Sequence, residues 1–112
     1  MSFEIIPTPH FEKELKKLSK RYKSMKNDFS KFIDSLQENP LQGVDLGEGL
    51  RKIRMAIESK GKGKSKGVRV ITYATLVDKE TGDIYLLEIY DKSDASNIKM
   101  NVIKSMLEEL NL

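Results

Sequence analysis

The chain contains no cysteine among its 112 residues. A disulfide framework, a thiolate metal site and a cysteine nucleophile are therefore all excluded. Its single histidine, His10, cannot by itself assemble a zinc site. No apolar run approaches the ~18 residues of a membrane span, and no charged-then-apolar leader opens the chain. Nothing repeats internally and no linker divides the sequence. These absences lead us to expect a soluble cytoplasmic protein with one domain over residues 1–112, no membrane association, no metal and no cofactor. The chain is 38% apolar and 33% charged, too apolar and too regularly patterned to be disordered.

The apolar residues fall into alternating periods. Phe3, Ile5 and Ile6 suggest a short strand ended by Pro7. Thr8 is then placed to cap a helix whose first position is Pro9, where a missing N–H costs nothing. Phe11, Leu15, Leu18 and Tyr22 lie on one stripe of that helix, and His10 falls on its solvated first turn. Ser24 can cap a second helix carrying Met25, Phe29, Phe32, Ile33 and Leu36, which Asn39-Pro40 ends. The short link predicts an antiparallel helical hairpin with both stripes on one surface. Residues 41–49 read as a glycine-rich loop.

Three strands follow. In LRKIRMAI, Ile53, Met55 and Ile57 alternate with Lys52, Arg54 and Ala56. In GVRVITYATLV, Val68, Val70, Ala74 and Leu76 alternate with Arg69, Ile71, Tyr73 and Thr75. The segment from Asp78 to Asp83 is a hairpin connection. The last strand is expected to set Tyr85, Leu87 and Ile89 against Glu88, Tyr90 and Lys92. A final helix from about Asp94 to Leu110 carries Ile98, Val102, Met106 and Leu110 at helical spacing. The fold class is thus α+β, in the order β-α-α-β-β-β-α, with an antiparallel sheet packed on a helical hairpin and a C-terminal helix.

Charge is concentrated in one stretch. From Arg51 to Arg69 there are eight basic side chains against one acid, Glu58, in a chain whose net charge is +3. Such a local field attracts polyanions. Arg offers paired donors to phosphate oxygens, Lys a point charge, and Tyr a stacking plane with a hydroxyl. Lys52, Arg54, Arg69 and Lys92 come from neighbouring strands, and clustered cations repel unless a ligand lies among them. Arg69 is expected to be partly exposed there. The loop residues Lys60, Lys62, Lys64 and Lys66, with Arg51 and Tyr73, are expected to bind RNA without taking part in chemistry.

RNA carries its own nucleophile, the 2′-hydroxyl, so cleavage needs a base, cations for the phosphate and an acid for the leaving oxygen. Lys52 or Lys92 could exchange the proton, because neighbouring cations lower a lysine pKa. Glu88 or Asp91 could act as the base instead. None of these groups is well tuned alone, so a partner that orients the substrate would supply much of the rate.

Three motifs together, LRKIR (50–54), Gly-x-Arg-Val-Ile-x-Tyr (67–73) and IYLLEIYDKSD (84–94), resemble the RelE/ParE superfamily of toxins from bacterial type II toxin–antitoxin systems. The likeness is greatest to the HigB/RelE branch and covers nearly the whole chain. It implies ribosome-dependent mRNA cleavage in the decoding site. Lys52 and Arg54 match the family's basic pair, Arg69 its central-strand arginine, and Lys92 the basic residue after the last strand. RelE itself has a tyrosine in its C-terminal helix. Nothing aromatic follows Tyr90 here, so Tyr90 and Tyr73 stand in for that tyrosine by position only.

The expected catalytic set is Lys52, Arg54, Arg69, Tyr90 and Lys92. The implied partners are the ribosome, mRNA and a cognate antitoxin, in a toxin–antitoxin hetero-oligomer. The antitoxin is expected to carry acidic residues, an amphipathic segment and a DNA-binding domain. The extended final helix also resembles the ParE branch, whose members poison DNA gyrase and cleave no RNA. A non-catalytic RNA-binding module is the third reading.

Overall fold

A computed structural model of the chain describes residues 3–60, 67–95 and 97–111. Strand β1 (Phe3–Pro7) runs directly into helix α1 (Pro9–Arg21). The Thr8 hydroxyl accepts from the Phe11 N–H at 3.1 Å, and Pro9 opens the first turn. This is the side-chain cap the sequence predicts. Helix α2 (Met25–Glu38) follows and stops at Asn39. Ser24 precedes it, but its hydroxyl does not cap the helix. It donates instead to Asp28 at 2.6 Å and accepts from the Ser59 N–H at 2.9 Å.

The stripes of α1 and α2 pack on one face of a five-stranded sheet. Phe11, Leu18, Met25, Phe32 and Leu36 meet Ile53, Met55, Val70, Ile84 and Ile89 there. Each buried aliphatic or aromatic side chain contributes about 1.5–3 kcal/mol, which makes this layer the main source of stability. The remaining strands are β2 (Val44–Gly47), β3 (Leu50–Met55), β4 (Val68–Leu76) and β5 (Gly82–Asp91). Their order across the sheet is β1-β5-β4-β3-β2. β1 is parallel to β5, and every other neighbouring pair is antiparallel. Helix α3 (Met100–Glu109) lies on the opposite face over a second core of Leu50, Ile71, Leu87, Tyr90 and Ile103.

Besides the uncapped Ser24, three features depart from what the sequence predicts. Residues 41–49 are not wholly loop, because Val44–Gly47 pairs with β3 as a short edge strand. Gly43 makes this approach feasible: it sits at φ +88°, and a Cβ there would lie 2.4 Å from the Lys52 carbonyl. The final helix begins at Met100 rather than near Asp94. Before it, the N–H groups of Asp94 and Ala95 both bond the Asp91 carbonyl, which holds the chain in a turn.

The third departure is a β-bulge in β5. Ile71 pairs with Glu88 but Thr72 pairs with Leu86, so Leu87 is an extra residue. Strict alternation would set Tyr85, Leu87 and Ile89 together. The bulge instead leaves Ile89 with Ile84 and Leu86 on the helical-hairpin face, while Tyr85 and Leu87 join Tyr90 on the α3 face.

Candidate functional site

Register places the charged residues in rows across the sheet. Arg54 pairs directly with Arg69, and Arg69 with Tyr90. The next row is Lys52, Ile71 and Glu88. Directly paired residues of an antiparallel sheet project to the same side. Lys52, Arg54, Arg69, Glu88 and Tyr90 therefore share the face that α3 partly covers. Like charges on opposed positions of a sheet repel, so the Arg54–Arg69 pair concentrates positive charge there.

The side chains differ in how they are held. Arg54 is exposed. Arg69, expected to be partly exposed, is only 4% exposed, and its guanidinium donates to the Val68 carbonyl at 3.3 Å. Lys52 reaches Asn97 Oδ1 at 3.4 Å. Burial pushes the Tyr90 phenol pKa up, Arg69 opposes the rise and Glu88 adds to it. The phenol therefore stays protonated near neutrality. Its hydroxyl is buried and has no hydrogen-bond partner among the described residues.

The other predicted residues are dispersed. Lys92 is exposed just beyond the end of β5. Tyr73 shares the face but lies four residues from Arg69, roughly 13 Å along the strand, where it packs against Tyr85. Arg51 projects to the other side of β3, and its guanidinium donates to the carbonyls of Gln42 and Gly43. Lys60 is turned inward onto Asp91. Lys62, Lys64 and Lys66 lie outside the described residues.

Asp91 is the hub of a buried cluster on the helical-hairpin side. Its carboxylate accepts from Lys60, from the Tyr22 hydroxyl, from Arg21 at 3.0 Å and from the N–H and hydroxyl of Ser93. Burial alone would raise its pKa. The hydrogen bonds from Lys60, Tyr22 and Ser93 outweigh burial and hold it well below the usual carboxylate range. So firmly ionised a group is a weak base, and it faces away from Arg54 and Arg69. Of the two carboxylates proposed from sequence as a base, Asp91 is thus a structural anchor. It fixes Lys60, while Asp28 accepts from the Glu58 N–H at 3.1 Å, and together they clamp the turn Glu58–Lys60 that follows β3.

One residue that sequence reasoning set aside belongs near the site. His10 Nε2 lies 2.8 Å from Glu88 Oε2. The two are 78 positions apart, and only the parallel seating of β1 beside β5 brings the start of α1 to Glu88. Among the described residues no group of three or more His, Cys, Asp or Glu side chains is arranged to hold a metal ion. No helix among them is long and apolar enough to cross a membrane.

No protein-family model matches the chain. Its backbone is similar to a solved structure of the E. coli toxin RelE, a mutant in the free state. The superposition has a TM-score of 0.57 at 14% identity and covers 86% of this chain and 90% of that one. The chain therefore has a RelE-like α+β fold.

Proposed function

We propose that the chain is the toxin of a type II toxin–antitoxin pair, of the HigB/RelE-like branch, and that it cleaves mRNA on the ribosome. The observation that carries this reading is the row Arg54–Arg69–Tyr90, two guanidinium groups and a protonated phenol on neighbouring strands of one face. In the proposed reaction the RNA 2′-hydroxyl attacks the adjacent phosphorus. Arg54 and Arg69 neutralise the charge gathering on the phosphate oxygens, and Tyr90, whose hydroxyl is buried, donates to one of them once RNA binding uncovers it. Lys52 and Lys92 extend the positive field along the backbone. The ribosome holds the RNA in the bent geometry that in-line attack requires, so free RNA is a poor substrate. A cognate antitoxin covers the face in the resting cell, and the cytoplasm is the site of action.

Brief induction followed by primer extension on cellular mRNA tests this. Codon-phased 5′ ends are the expected result. Absence of such ends together with DNA damage would instead indicate a gyrase poison, and absence of both a non-catalytic binder.

A further inference from the structure

A face assembled from cations and a protonated phenol is rich in donors, and the carboxylate on it, Glu88, is tied to His10. Histidine is the side chain whose ordinary pKa lies near neutrality, and this chain has one. His10 Nε2 is 2.8 Å from Glu88 Oε2. The Glu88 carboxylate is itself fixed, with its side chain 10% exposed and Oε1 accepting from the Ile89 N–H at 3.0 Å. By contrast the imidazole is 45% exposed, and its Nδ1 has no hydrogen-bond partner among the described residues.

Glu88 stands one row from Arg69 and Tyr90 on the cationic face. Beside the imidazole opens a groove of about 690 Å³, bounded by Pro9, His10 and Leu87 on one side and by Asn101, Ser105 and Met106 of α3 on the other. That volume falls in the ~300–1,000 Å³ range of sites that take small organic ligands.

We propose that His10, oriented by Glu88, is the general base of this face and acts on the 2′-hydroxyl of a nucleotide seated in the groove between α1 and α3. The proposal rests on the RNA-cleavage reading above. Glu88 accepts the Nε2 proton, which leaves the Nδ1 lone pair of the neutral ring outward. Nδ1 takes the proton of the 2′-hydroxyl as the 2′-oxygen forms its bond to the adjacent phosphorus. The bond from phosphorus to the 5′-oxygen breaks with its electron pair, and that oxygen takes a proton from water. The imidazolium returns its proton to the hydroxide so formed. The products are a 2′,3′-cyclic phosphate and a 5′-hydroxyl.

The test is single-turnover cleavage of mRNA on purified programmed ribosomes at saturating ribosome concentration. His10→Gln keeps a donor for Glu88 but loses the base, and is expected to cut ~10²–10⁴-fold more slowly with unchanged ribosome affinity. His10→Ala should show the same loss, and added imidazole should restore part of the rate. Glu88→Ala is expected to lower the rate without changing affinity and to gain nothing from imidazole. Glu88→Gln, whose amide oxygen still accepts from Nε2, should recover most of the activity. Wild-type rates from His10→Gln, or a loss confined to ribosome affinity, would overturn the assignment of His10 alone. A wild-type protein that cuts no ribosome-bound mRNA would overturn it together with the nuclease reading.

Discussion

Asp91 illustrates how one buried side chain can set stability across pH. Its native pKa is depressed below the ordinary carboxylate value of ~3.9. A depressed native pKa means that the unfolded chain binds the proton first as pH falls. The stabilisation is therefore complete above the unfolded-state value and is lost progressively below ~pH 5. Asp91→Asn is expected to cost about 3 kcal/mol at neutral pH, at the low end for a broken buried pair because Arg21 is half exposed. Urea titrations of both proteins check this, and their difference should shrink as the medium is acidified. A difference that stays constant to low pH would contradict the charged-hub assignment.

Arg69 calls for a different substitution from the one its sequence context suggests. At 4% exposure, alanine would leave a void beside Tyr90 and confound activity with stability. Arg69→Lys keeps the charge and most of the volume while losing the forked donors. Arg54 is exposed and can be truncated cleanly. Both Arg69→Lys and Arg54→Ala are expected to relieve growth arrest on induction, with melting temperatures near wild type. The double variant should be little worse than either single one, since groups acting as a unit fail together. Full toxicity from both folded single variants would remove the row from the mechanism.

At the scale of elements, the long periodic segments were legible and the short or irregular ones were not. The stripes of α1 and α2 and the alternation in β3 and β4 stand in the sequence because each buries one face against a large core. β2 was hidden because four residues between glycines are too few to display a period. The bulge at Leu87 was hidden because it breaks the very alternation by which a strand is read. A shared face for Arg54, Arg69 and Tyr90 was legible from alternation along hairpin-linked strands, but their pairing in one row was not, since no period displays register. The His10–Glu88 contact was not, since it depends on β1 lying parallel to β5 across most of the chain.

The same scale explains Gly67, which opens the Gly-x-Arg motif. A Cβ there would meet the Met55 carbonyl at 2.0 Å, so the start of β4 can approach the end of β3 only without a side chain. Gly67→Ala must push the two backbones apart at the pair just before Arg54–Arg69. An overpacking cost of about 1–3 kcal/mol is expected, with a loss of cleavage larger than the loss of folded protein. Thermal melts alongside cleavage assays separate the two. Wild-type stability in this variant would show that the close approach is not required.

At the scale of the whole molecule, the RelE-like sheet divides its labour by face. The helical hairpin supplies a continuous apolar layer on one side, and α3 covers only part of the other. The uncovered part presents the exposed Arg54 and the half-buried Lys52 of β3, while Asp91 and Asp28 tie the turn Glu58–Lys60 to the layer beneath. In the proposed function the Arg54–Arg69–Tyr90 row directs attack by the RNA's own 2′-hydroxyl. The most direct measurement places a single 2′-deoxynucleotide on the 5′ side of the cleaved bond in ribosome-bound mRNA. Cleavage of the all-ribose message, leaving a cyclic phosphate, and none of the deoxy-substituted one is the expected result; equal cutting of both would contradict the mechanism.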